Sequence, residues 1–115
     1  MGNSNEIRGI LMGRRFETVS YTLDSTLSDT PKIPFADWAG AGITIPNGSS
    51  ITLLTFHAAP DIEGVFEPLY TSANAAVTRT VAADRSYAFP DECFGFGAIR
   101  IVPNADGAVE ISFKA

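Results

Sequence analysis

Toward the C-terminus, apolar residues alternate with polar or small ones over 98–102 (AIRIV) and again over 108–114 (AVEISFK). A period of two puts successive side chains on opposite faces of a strand, so both stretches are predicted to be half-buried β-strands. Ile99, Ile101, Val109, Ile111 and Phe113 fall on the apolar face and are assigned to the core. Between the two runs lies Pro103-Asn104-Ala105-Asp106-Gly107. Asp-Gly favours the left-handed backbone of a tight turn, so the segment is predicted to close a β-hairpin.

The same pattern recurs upstream. Residues 16–23 alternate, with Val19, Tyr21 and Leu23 sharing one face. Residues 45–50 (IPNGSS) form a turn cluster, and 51–58 (ITLLTFHA) are rich in β-formers and suit a central strand. In 65–70 (VFEPLY), Pro68 removes a ladder donor and points to an edge or a bulge. Residues 76–82 place Val77, Arg79 and Val81 on one side, and 86–89 make a short strand ended by Pro90. Asp91 to Phe94 suit one helical turn, because proline and acidic residues favour a helix start. Glycines and prolines spread along the chain would break longer helices. With roughly seven to nine strands punctuated about every 8–12 residues, the prediction is an all-β, single-domain antiparallel β-sandwich, jelly-roll-like or Ig-like.

Composition agrees with a packed domain. Of the 115 residues, 45% are apolar and 18% charged, a globular balance, and the length suits one domain with a core of its own. The formal charge of −5 speaks against a general nucleic-acid or membrane-surface binder. No apolar run approaches the roughly 20 residues of a membrane helix, and the N-terminal stretch lacks the apolar centre of a signal peptide. The charge is unevenly placed. Residues 1–15 carry Arg8, Arg14 and Arg15 against Glu6 alone, whereas 16–115 carry five basic and twelve acidic groups. Residues 1–15 therefore read either as an extended basic arm reaching an acidic neighbour or as a tail with incidental arginines. An extended arm of that length spans at most about 50 Å.

Candidate chemistry is sparse. His57 is the single histidine and sits in a predicted central strand, without a nucleophile elbow. Cys93, the single cysteine, cannot form an internal disulfide or a closed zinc site, and Asp91 and Glu92 beside it oppose a thiolate. It is expected to be a buried small apolar residue. Asp61 and Glu63, with Asp84 or Asp91, are the acidic residues a calcium site would draw on, but their spacing does not match an EF-hand. Gly95-Phe96-Gly97 lacks the lysine and the following helix of a phosphate loop. Trp38 is either a core or interface anchor or a platform for a sugar ring. No cofactor, no metal and no catalytic residue is expected. The residues assigned to partner contact are Arg8, Arg14, Arg15 and Trp38.

From about residue 43 onward the chain resembles small structural, capsid-associated proteins of tailed bacteriophages. The likeness is carried by 45–52 (IPNGSSIT), 66–70 (FEPLY), 81–90 (VAADRSYAFP) and the run from Ala98 to Ala115. It brings no catalytic residues with it. The resemblance implies a decoration or cement protein on a phage head, with the major capsid protein or other virion subunits as partners and a trimer as the favoured homo-oligomer. A carbohydrate-binding or lectin-like module is the alternative, and would present Trp38, Tyr70 or Tyr87 as an exposed aromatic platform.

Overall fold

The computed structural model describes residues 16–115, so the basic arm with Arg8, Arg14 and Arg15 lies outside the described residues. Nine strands follow one another: β1 (Phe16–Leu23), β2 (Ile33–Pro34), β3 (Gly40–Ile45), β4 (Leu53–Ala59), β5 (Glu67–Pro68), β6 (Thr78–Thr80), β7 (Arg85–Ala88), β8 (Ala98–Pro103) and β9 (Gly107–Lys114). Among the described residues a single 3-10 turn, Asp91–Cys93, follows Pro90, where the sequence predicts it.

The strands form two sheets. The first has the order β1-β9-β3-β7; the second has β2-β8-β4-β5, with β6 also paired to β4. The antiparallel pairs are nested: β1 with β9, β2 with β8, β3 with β7, and β4 with β5 and β6. A chain folded back on itself in this way and then rolled up is a jelly roll, which decides between the two sandwich types expected.

Inward-facing rows meet across the gap. In the first sheet Val19, Ile111, Ile43 and Tyr87 stand side by side in register. Ile33, Ile99 and Ala58 make a similar row in the second, beside the pair Phe56 and Ile101. Phe35, Phe89, Phe94 and Phe113 fill one end with tilted and edge-on ring contacts at 5.1–6.0 Å, the offset geometry that aromatic quadrupoles favour. All five residues assigned to the core from the C-terminal alternation are buried.

The hairpin expected at the C-terminus does not form. Both strands are present, but β8 pairs with β2 and β4 while β9 pairs with β1 and β3, so the chain arches from one sheet to the other. Gly107 is not left-handed; it begins β9 opposite Leu23, and a Cβ there would stand 3.1 Å from Ile51. The polar residues of the arch bind other loops instead of closing a turn. Asn104 Oδ1 accepts the amides of Thr52 and Leu53 at 2.9 and 3.2 Å, and Asp106 Oδ1 accepts Ser25 N–H at 2.8 Å.

Pro68 does mark an edge: β5 is a two-residue strand bordering β4. Residues 40–45, not anticipated as a strand, form β3 in the middle of the first sheet. Gly40 and Gly42 hide it, because two of its three outward positions carry no side chain and only Ile43 and Ile45 are fully buried.

Candidate functional site

The nested topology gathers three connections at one end of the sandwich: 35–39, 60–66 and 89–97. Phe35 N–H donates to the Gly97 carbonyl at 2.8 Å, and Ala39 N–H to that of Lys114 at 2.9 Å, which ties the end to β9. Gly97 has to be glycine, since a Cβ would run into the Pro60 carbonyl. The loops leave a cleft of about 330 Å³ walled by Phe35, Trp38, Pro60, Phe94 and Phe96.

Trp38 is half-buried on the rim of this cleft. Its ring stacks on Phe113 at 5.1 Å and 25°, so one face is already occupied by the core. Phe113 also lines a second depression of about 320 Å³, this one mostly apolar, bounded by Phe16, Gly40, Gly42 and Lys114. Phe16 is 76% exposed and pairs with Lys114. The described chain thus begins at the same pole that carries Trp38, where residues 1–15 join the body. Of the four residues assigned to partner contact, Trp38 is the one described. The sequence reading missed Phe94, Phe96 and Pro60, which come together only because the 60–66 and 89–97 loops converge.

No protein-family model matches the chain, and no curated protein sequence matches it. The fold is similar to that of a prophage protein. The crystal structure of SPBc2 prophage-derived protein YomS superposes with a TM-score of 0.52 over 88% of this chain and 96% of that one, at 13% identity. Likeness at that identity concerns the fold.

The remaining candidates have structural surroundings. His57, in β4, stands opposite Pro68 on one side and Arg100 on the other. Its Nδ1 is buried without a hydrogen-bond partner, and burial lowers its pKa, so the ring is neutral at neutral pH. Arg100 lays its guanidinium over the Phe66 ring at 5.0 Å. Cys93 is fully buried, and burial, with Glu92 adding to it, pushes its thiol up to about 12. Such a thiol is not a nucleophile at neutral pH. Asp61 Oδ1 accepts the Glu63 amide at 2.9 Å, which shapes its own loop. Among the described residues, no three His, Cys, Asp or Glu side chains are gathered as a metal site would need. No described helix is long and apolar enough to cross a membrane.

Proposed function

We propose that this chain is a non-enzymatic structural protein of a phage particle, a decoration or cement subunit that docks on the major capsid protein or other virion subunits and stabilises the head. The observation that carries this reading is the fold shared with the SPBc2 prophage-derived protein across most of both chains. A jelly roll is an architecture found in capsid domains, and it presents its loops at two poles. The pole with Trp38 supplies an aromatic ring fixed in place by its neighbours, of the kind that interfaces use as an anchor, beside the apolar depression at Phe16 and Phe113. Arg8, Arg14 and Arg15, in the segment joined to this pole, would add charge contacts to an acidic neighbour. The protein acts in the virion, after assembly in the host cytoplasm, as a homo-oligomer.

The test is made on particles. Mass spectrometry of purified virions is expected to find this chain at a fixed ratio to the major capsid protein. Trp38→Ala chains added to particles stripped of the protein are expected to rebind at least tenfold more weakly, the cost of removing a hot-spot aromatic. Purified virions without the chain would end this reading.

The cleft beside Trp38 also supports a second reading, a carbohydrate-binding module. Phe96 is 37% exposed there and Tyr70, elsewhere, 51% exposed. Binding on a glycan array that is lost with Phe96→Ala would favour it.

A further inference from the structure

The rim of the first sheet formed by β1 is eight residues long and, among the described residues, pairs with β9 alone. It contains no proline, no lysine and no arginine, and Glu17 is its single charge. Natural sheets seldom leave such a length of unpaired N–H and C=O groups unblocked, because it is a template for another strand. The other borders are blunted. β2 and β5 are two residues long, β6 is three, and β7 has its Ala88 carbonyl taken by the Arg79 guanidinium at 2.9 Å.

We propose that β1 pairs antiparallel with β1 of a second copy of this chain, across a two-fold axis at Val19, joining the two first sheets into one continuous eight-stranded sheet. The sequence of the strand is self-complementary in that register. Val19 meets Val19 of the second copy, and its half-buried apolar side chain gains cover. Glu17 faces Tyr21, a carboxylate opposite a phenol, on the inward side. Thr18 faces Ser20 on the outward side. Each facing pair shares a face, so the alternation of both copies is kept. Like charges are not opposed, which cross-strand pairing would penalise.

The flanks are complementary too. Arg14 and Arg15 immediately precede β1 and Asp24 immediately follows it. Antiparallel pairing brings the basic start of each strand to the acidic end of the other. A two-fold contact builds dimers, in place of the trimer that the phage resemblance implies, and it does not depend on a role in the virion.

Light scattering on the full chain after size exclusion is expected to give twice the 12.2 kDa chain mass. Deleting residues 1–12 is expected to leave the particle at two chains, each lighter by the residues removed. Arg14→Asp with Arg15→Asp is expected to weaken the dimer at least tenfold at low salt and far less at high salt. A chain with Ser20→Cys, on the exposed outward face of β1, treated with a short bis-maleimide is expected to run as a covalent dimer, and a Ser86→Cys chain on β7 as a monomer. The background is low because Cys93 is buried. A one-chain or three-chain mass overturns the proposal. So does a dimer that dissociates on loss of residues 1–12, which would make the arm the occupant, or one that Ser20→Cys does not cross-link. A monomer still found in virions would remove the pairing and leave the structural role standing; a dimer absent from virions would do the reverse.

Discussion

β7 and β1 both border the first sheet, yet they meet the same physical problem in different ways. β7 is four residues long and is bounded by Asp84, held at a φ of 65°, and by Pro90 two residues beyond its end. Arg79 crosses the gap from the second sheet to bond its last carbonyl. β1 is twice as long, and its outward positions, Phe16, Thr18 and Ser20, are exposed. Closing an edge takes few residues: a short strand, a proline and one well-placed guanidinium suffice. That the other edge of the same sheet lacks these devices marks it as a surface for pairing.

The largest expected effect comes from a change that removes both rims together. Ile111 lies between Val19 and Ile43 in the row that runs from β1 to β7. Ile111→Asp would bury an unpaired carboxylate, at a cost of about 5 kcal/mol or more. We expect no cooperative unfolding transition for this variant; a soluble protein with a sharp urea melt would contradict the inward face of β9.

Thr30 anchors the far end of β1. Its hydroxyl donates to the Ile101 carbonyl at 2.8 Å and accepts Asp24 N–H at 3.1 Å, and the side chain is fully buried. Thr30→Val strands both backbone groups and is expected to cost about 1–3 kcal/mol in urea denaturation. It should also speed amide exchange at Asp24 while leaving exchange in β7 unchanged; equal acceleration at both rims would show that Thr30 acts on the whole fold.

Arg79→Met keeps the stem and removes the guanidinium. The expected loss is about 1 kcal/mol, that of one hydrogen bond. More informative is the mass distribution, since a freed β7 edge should add concentration-dependent species above those of the unmodified chain. An unaltered light-scattering profile would mean that the length of β7, and not Arg79, protects that rim.

The smallest effect is expected at Asp106. Hydrogen bonds from the Ser25 backbone and side chain lower its carboxyl pKa below the ordinary 3.8. The unfolded chain then binds the proton more readily, so this contact stabilises fully above the ordinary value and fades as pH falls through the lower, folded one. Asp106→Asn should therefore slightly lower stability at neutral pH, flatten the acid limb of a stability–pH curve, and leave stability at the acid end unchanged. A loss confined to acid pH would disagree with that sign.

Much of the architecture is legible in the chain itself, because alternation is a local property. Residues 16–23 announce β1, Pro68 announces a short edge, and Pro90 with its acidic followers announces the single 3-10 turn. Cys93 reads correctly as a small buried residue, since its neighbours and isolation leave it no other chemistry. The pole was less legible. Trp38 stood out as a rare residue, but Phe94, Phe96 and Pro60 are distant in sequence and meet only when two loops converge.

What the sequence determined by itself is which side chains face inward. A strand with period two must bury one face, whichever strand lies beside it. Tertiary structure alone decided who that neighbour is. Ile99, Ile101, Val109 and Ile111 would be equally apolar in a hairpin, where they share one face, and in an arch, where they look at each other across the core. Asn104 and Asp106 tip the choice by bonding Thr52, Leu53 and Ser25, groups far along the chain. Burial is dictated residue by residue, but pairing is settled between segments, because a backbone amide carries no record of the carbonyl that will accept it.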